Sequence, residues 1–306
     1  MLDFRMETFL TASRLLSYTE TARELHITQP AVSQHIHFLE EHYNAKLFQY
    51  EGKKLCLTEA GFLLRKAATT MKHDEITLLE TLKASPRRKL VFGATRTIGD
   101  YFIPETLIPY LARERNTDIC MLVDNTETLL HKIDSGELEF ALVEGYFRTS
   151  EYDYKVFSEQ KFIAVCGGGH LTKTQNLTIE SLFESCIIVR EPGSGTREIL
   201  ERYLNERNCS ISDFQRVIEV GSIRAIKSLV SANCGITFLY EAAAAQDLRD
   251  GTLRKIPLID FERSNSFTMV WRKNSIFQER YLELYQHLFP VSEDTADSLW
   301  FAFNEI

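Results

Sequence analysis

Helical periodicity appears from the start of the chain: Met6, Phe9, Leu10, Ser13 and Leu16 share one side of a first predicted helix. A second helix is expected to begin near Thr19, whose hydroxyl is placed to cap it, with Ala22 and Leu25 facing inward. After the short turn "HIT", Thr28 is a natural N-cap and Pro30 falls in the first turn of a third helix, where a missing N–H costs little. Val32, Ile36 and Leu39 form that helix's buried stripe. From Thr58 to about Ala84 the pattern predicts one long helix capped by Thr58, with Glu59 near the positive end of its dipole. Leu64, Met71 and Leu78 repeat every seven residues, as do Ala68, Glu75 and Leu82, so a coiled-coil seam broken by one charge is expected. At about 1.5 Å per residue this helix would run roughly 40 Å before "ASPRRKL" ends it.

Beyond residue 88 the period changes. Short β-rich runs ("KLVFGA", "DICMLV", "EFALVE", "KFIAVC", "CIIVRE", "RVIEV", "GITFLY", "FTMVWR") alternate with helical stretches such as "PETLIPYLARER", "GTREILERYLNER" and "SIRAIKSLVSA". Alternation of this kind predicts parallel sheets with helices on both faces.

The chain has 306 residues, 44% of them hydrophobic, which suits two or three domains with substantial cores. No run approaches the roughly 20 apolar residues of a membrane span, and "MLDFRMETFLTASRL" lacks the features of a secretion leader, so a cytoplasmic protein without membrane contact is expected. The six cysteines are scattered without a C-x-x-C pair, mostly in apolar runs, and are expected to be reduced core residues. Net charge is -8 but unevenly spread: residues 1–88 carry 12 Lys+Arg against 11 Asp+Glu, the remainder 23 against 32. An N-terminal nucleic-acid binder would therefore have to place its few charges locally.

The outer side of the third helix carries Gln29, Pro30, Ser33, Gln34 and His37. A merely solvated face would more often show Glu and Lys; short groups that donate and accept hydrogen bonds, with Pro30 as an apolar edge for a thymine methyl, suit a helix entering a DNA major groove. Spacing alone leaves a plain three-helix bundle open. His26, His35, His37 and His42 crowd the same segment, but no cysteine accompanies them and helical spacing spreads them around the axis. They are expected to be surface histidines, with no metal bound.

The stretch "SYTETARELHITQPAVSQHIHFLEEHYNAKLFQYEGKKLCLTEAG" resembles the winged helix-turn-helix of LysR-type transcriptional regulators across residues 3–61. The S-x-T opening, Gln29-Pro30-Ala31-Val32-Ser33, Leu39-Glu40, Leu47-Phe48 and Leu57-Thr58-Glu59-Ala60-Gly61 all fall in family order and spacing. The resemblance assigns Thr19 and Ser33 to DNA phosphates, and Gln29, Pro30, Gln34 and His37 to or near base edges. It places a wing over 48–57, turning at "EGKK" with Lys53 and Lys54 near phosphates. Gln34 and Tyr50 stand where many members have arginine.

The resemblance also implies the whole architecture: a winged domain (1–58), a linker helix and hinge (59–88) that pairs two copies, and a two-lobed α/β effector domain (89–289) similar to periplasmic solute-binding proteins. Lobe one would be 89–160 plus 266–289 and lobe two 161–265, leaving 290–306 as an acidic-then-aromatic tail. The implied partners are an inverted-repeat operator in double-stranded DNA, a small effector, one or three further copies of the chain, and RNA polymerase as a further candidate.

Ligands in such sheets sit beyond the carboxyl ends of strands, facing helix N-termini. Two loops fit. In "GATRTIGDYFIP", Thr95, Arg96 and Thr97 leave a strand; in "VREPGSGTREI", Arg190 precedes Gly193, Ser194, Gly195 and Thr196 at a helix start. Backbone amides and hydroxyls there can cradle an anion while Arg96 and Arg190 supply charge, so an oxyanion or carboxylate is expected. Glu144, closing "EFALVEG", faces the same cleft, either bonding a ligand or pairing with Arg96. Both loops resemble the subgroup of sulfur-assimilation and carbon-fixation regulators, although Arg96 is unusual there. No G-x-S-x-G elbow, P-loop lysine or H-E-x-x-H occurs, no catalytic residue or cofactor is expected, and "GGGH" at 167–170 is taken as a structural turn. Two rivals remain open at this level: a solute-binding protein with an incidental helical head, and an enzyme using the "GSGT" loop.

Overall fold

The computed structural model describes residues 3–83, 87–169 and 177–290. The expectations for 84–86, His170 and the tail from 291 onward lie outside the described residues. The N-terminal unit consists of α1 (Phe4–Leu15), α2 (Tyr18–Glu24), α3 (Gln29–Tyr43), the hairpin β1 (Phe48–Glu51) and β2 (Lys54–Leu57), and the long α4 (Glu59–Leu82). There follow β3 (Arg88–Thr95), α5 (Arg96–Tyr101), α6 (Ile103–Arg113), β4 (Thr117–Asp124), α7 (Thr126–Ser135), β5 (Phe140–Val143), β6 (Tyr152–Gly167), β7 (Cys186–Val189), α8 (Gly195–Asn205) and β8 (Arg216–Glu219). The chain then runs through α9 (Ile223–Ser231), β9 (Thr237–Tyr240), α10 (Glu241–Asp250), β10 (Leu253–Lys255), β11 (Arg263–Arg272) and α11 (Gln278–Leu288).

Met6, Phe9 and Ala12 of α1 pack with Val32, Ile36 and Leu39 of α3 and with Leu47, Phe48, Leu55 and Leu57 around the hairpin. Burial of each large side chain contributes roughly 1.5–3 kcal/mol, so this stripe fixes which side of α3 is left outward. Leu16 does not join it: the residue terminates α1 in a left-handed conformation and is 43% exposed. The cap of α2 is Ser17, not Thr19, because Ser17 is the residue with extended backbone and its Oγ accepts from Glu20 N; Thr19 sits exposed in the first turn. Thr28 and Thr58 cap α3 and α4 as expected, accepting from Ala31 N and Gly61 N.

Gly61 seats the start of α4 against the segment entering the hairpin. A Cβ there would lie 2.1 Å from the Leu47 carbonyl oxygen, a backbone atom that cannot step aside. Gly61→Ala is therefore expected to destabilise the chain by about 1–3 kcal/mol, the usual range for overpacking, read as a lower midpoint in denaturant unfolding.

The heptad seam of α4 divides. Leu64 and Ala68 pack into the N-terminal core, while Met71, Leu78 and Leu82 remain exposed. Another face of the helix docks on the α/β part of its own chain. Asp74 accepts from Ser275 Oγ at 2.6 Å and Ile276 N at 2.9 Å, Thr70 donates to the Lys273 carbonyl at 3.2 Å, and Ile76 lies against Gly136.

The α/β part departs from the expected parallel sheets. One seven-stranded sheet runs β10-β6-β11-β5-β3-β4, with β9 also pairing β6, and only β3–β4 and β3–β5 are parallel within it. The pairings of β11 with β5 and β6, and of β6 with β9 and β10, are antiparallel. The cause is the 16-residue β6, which runs continuously through "KFIAVC", and the return strand β11 beside it. These two strands pass between a first lobe (β3–β5 with α6, α7 and α11) and a second (β7–β10 with α8–α10), where β7 and β8 form a separate parallel pair. Phe92, Phe140, Phe162, Tyr240, Phe267 and Trp271 belong to one apolar cluster that spans the crossing.

The cysteines are not all core residues: all six are free, Cys166 is buried, and Cys120 and Cys234 are exposed. Among the described residues no helix is long and apolar enough to cross a membrane.

Candidate functional site

Gln29, Pro30, Gln34 and His37 are exposed on α3 and Ser33 is half-buried beside them. Gln29 Nε2 donates to Ser33 Oγ at 3.0 Å, one turn apart, and His37 Nε2 lies 3.2 Å from Glu41 Oε1. Of the four N-terminal histidines, His35 is not a free surface group: its Nδ1 lies 2.9 Å from Thr8 Oγ1 and its ring meets Phe4 edge-on. The hairpin turns with Gly52 at φ +65° in the first of two loop positions, as a tight hairpin turn requires, and holds Lys53 and Lys54 out in solvent. Tyr50, 68% exposed, stands on the same hairpin.

The second constellation lies where the two lobes touch. Thr95 and Arg96 leave β3 into α5, Glu144 leaves β5, Arg190 leaves β7, and Ser194 stands at the N-cap of α8. Glu144 is 2% exposed, and its Oε1 accepts from Thr97 Oγ1 at 3.0 Å and from Thr196 Oγ1 at 3.1 Å, one hydroxyl from each lobe. The approach is close: a Cβ on Gly195 would come within 2.6 Å of the Glu144 carbonyl oxygen, and Gly145 turns with φ +87° against Gly195. Arg190, 4% exposed, donates through Nε and Nη2 to Glu191 at 2.8 and 2.7 Å, and Arg96 Nε lies 3.9 Å from the same carboxylate.

Hydrogen bonding within the chain leaves much of this cluster unsatisfied. Thr95 Oγ1, Arg96 Nε, Glu144 Oε2, Arg190 Nη1 and Ser194 Oγ are all buried without a hydrogen-bond partner. A buried polar atom left unpaired costs roughly 1–3 kcal/mol, so five in one cluster are a concentrated cost that the chain itself does not offset. Ser194 stands at the N-cap of α8 without a side-chain bond to its amides, so neither its hydroxyl nor those N–H groups are satisfied by the usual cap. Burial raises the Glu144 carboxyl to about 7, the two threonine hydroxyls and Arg190 opposing. Glu191 is pushed up by burial but held below its ordinary range by Arg190 and Arg96.

The expected pairing of Glu144 with Arg96 does not occur, because Glu191 takes both arginines and the threonines take Glu144. Gly193, 81° in φ and exposed, lies at the rim beside Glu127. Sequence reasoning missed Glu191, although it adjoins Arg190, and Thr126, whose hydroxyl donates to the Glu144 carbonyl at 3.0 Å. Cavities of about 410 Å³ (lined by Tyr101, Arg224, Lys227 and Asp247) and 260 Å³ (lined by Cys186, Asn233 and Cys234) lie outside this cluster. Among the described residues no group of three or more His, Cys, Asp or Glu is placed to hold a metal ion.

A winged helix-turn-helix joined through one long helix to a two-lobed α/β unit with a polar inter-lobe site is the build of a ligand-responsive transcriptional regulator. The chain belongs to the LysR family. Residues 4–62 match the bacterial regulatory helix-turn-helix protein model of that family and residues 83–289 the LysR substrate binding domain. A RuBisCO operon transcriptional regulator of Allochromatium vinosum is 27% identical over 273 residues, covering 88% of this chain and 89% of that protein. The fold is shared with an H2O2-bound cysteine-to-serine mutant of Corynebacterium glutamicum OxyR, with a TM-score of 0.59, 20% identity and coverage of 93% of this chain and 90% of that one. It is shared also with the CcmR regulatory domain of Synechocystis PCC6803 in complex with 2-PG, with a TM-score of 0.59, 20% identity and coverage of 67% and 98%. The chain is thus a LysR-type DNA-binding transcriptional regulator with an effector-binding domain.

Proposed function

We propose that the inter-lobe site takes a small oxyanion or carboxylate, and that its binding alters how the exposed face of α3 engages an inverted-repeat operator. The observation that carries the reading is the set of five unpartnered buried atoms, four of them donors of serine, threonine or arginine. Small phosphorylated carboxylates fit the donor chemistry, and the 2-PG complex of the CcmR regulatory domain makes 2-PG a rational first probe. Gln29, Pro30, Gln34 and His37 would meet bases, and Thr19, Ser33, Lys53 and Lys54 phosphates. Two copies paired through the exposed Met71, Leu78 and Leu82 stripe of α4 would present two such faces to one duplex, as a dimer or within a tetramer. The protein would work in the cytoplasm as a sensor, without turnover of its ligand.

Calorimetric titration with sulfate, phosphate and 2-PG tests the site. At least one should bind the wild-type chain, and Arg190→Met should weaken it about 10–100-fold, the worth of a charge-assisted hydrogen bond. No binding by any anion, or equal binding by the variant, would refute the reading. Few cations stand on the DNA-facing surface, so the slope of log affinity against log salt should be shallow, well short of the about -9 of a protein making ten phosphate contacts. Operator titrations at several salt concentrations measure it.

A further inference from the structure

The unpartnered atoms of the inter-lobe site are not all of one kind. Four can only give or readily give a proton: two hydroxyls, an arginine Nη1 and an arginine Nε. The fifth, Glu144 Oε2, would as a carboxylate be a buried negative acceptor without a donor, at the very place where an anion is expected. The geometry of the other oxygen resolves this. Glu144 Oε1 already accepts two hydroxyls, from Thr97 and Thr196, and so is fixed as the acceptor end of the group. A proton on this carboxyl therefore resides on Oε2, where no acceptor of the chain is within reach.

Resting on the reading of this site as an anion site, we propose that Glu144 is a specificity-determining proton donor: its Oε2–H bonds the effector, so the oxyanion is taken up together with one proton. The site would then favour ligands that present only acceptors at this position. An oxygen of sulfate, phosphate or a carboxylate fits, while an ammonium or other donor group does not.

The charges around Glu144 agree. From α5 come Arg96 and the Thr97 hydroxyl; from the end of β7, Arg190 with Glu191; from α8, Thr196 and Glu198, whose carboxyl approaches Gly145. From α7 come Thr126, on the Glu144 carbonyl, and Glu127 at the Gly193 rim, and from the end of β9 Tyr240, whose phenol is raised by burial and by Glu144. With Glu191, Glu198 and Glu127 set against Arg96 and Arg190, an ionised Glu144 would add further negative charge where an anion is to bind, so the neutral carboxyl is the form that suits it. Burial independently holds the Glu144 carboxyl at about 7, so the donor form is populated near neutrality. An incoming anion raises it further, and by linkage each unit of pH above the unliganded value should weaken binding tenfold.

The test uses the full chain and sulfate, which keeps its charge throughout the range. Wild-type affinity should fall about tenfold between about pH 6 and about pH 8, and titrations in two buffers of different ionisation enthalpy should show uptake of one proton at the higher pH. Glu144→Gln, which can place its carbonyl toward the two threonines and its amide N–H toward the ligand, should bind at both values with no pH dependence and no proton uptake. A wild-type affinity that is flat or rises with pH, or loss of binding in Glu144→Gln, would overturn the proposal while leaving the anion site standing. Absence of sulfate binding to both proteins at every pH would overturn the anion reading itself, and this proposal with it.

Discussion

Arg272→Met is expected to remove about 2–3 kcal/mol of stability at neutral pH, less than the about 3–5 kcal/mol of a fully buried pair broken from one side, because the Asp134 side chain left behind is 33% exposed. The Arg272 side chain is 1% exposed and donates through Nη1 to Asp134 at 2.7 Å. Its Nη2 reaches Thr70 Oγ1 at 3.4 Å and the Lys66 carbonyl at 3.5 Å, both on α4. One guanidinium thus joins the end of β11 to α7 and to the linker helix, so the variant should also loosen α4 from the first lobe. Asp134 would be left with the Tyr152 hydroxyl, 2.8 Å away, as its remaining side-chain donor. Burial already raises the Asp134 carboxyl, with Arg272 and Tyr152 opposing. Without the arginine it rises further, and a carboxyl raised in the folded state loses stability as pH climbs from its unfolded value toward its folded one. The deficit should therefore be largest at neutral pH and should shrink toward about pH 4. Denaturant unfolding at the two ends of that range checks both parts. A loss below about 1 kcal/mol at neutral pH would show that Arg272 is not the tie its geometry indicates.

The second large effect concerns DNA. Gln29→Ala with Ser33→Ala should abolish preference for the operator over unrelated duplex, because a good base contact such as that of Gln29 contributes roughly 1–3 kcal/mol of discrimination and the phosphate contact of Ser33 sets the register in which α3 reads the bases. Neither side chain supports the core: Gln29 is exposed, and the bond between the two is a surface one. Unfolding midpoint and sulfate affinity should stay as in the wild type. Competition binding against random duplex measures the first, and retention of operator preference would remove this face of α3 from the account.

How much of this was legible in the residues depends on the range of the interaction involved. The stripe Val32, Ile36, Leu39 and the caps Thr28 and Thr58 are local, and periodicity with capping chemistry located them. Ser17 and Thr19 offer the same hydroxyl two residues apart, and only the backbone conformation decides which one caps. The α4 seam was visible as a repeat, but a repeat does not say what it faces: Ala68 turned into its own domain while Met71 and Leu82 stayed outside. Strands buried on both faces read alike whether parallel or antiparallel, so the direction of β11 beside β5 and β6 could not be read. The loops that meet between the lobes stood out through their glycines and hydroxyls. That Glu144 bonds Thr97 and Thr196 instead of Arg96 was not legible, since those partners lie 47 and 52 residues away and two arginines competed for the same acid, Glu191.

Coupling between the two sites is the central claim, and one measurement bears on it most directly: nuclease footprinting of the full chain on the intergenic region beside its own gene, with and without the anion that binds best. Wild-type protein should change its footprint on adding the anion. Thr97→Val with Ser194→Ala should give a footprint that no longer responds, while Gln29→Ala with Ser33→Ala should give none. A footprint that is the same with and without a bound anion, or one that still responds in the cleft variant, would contradict the account.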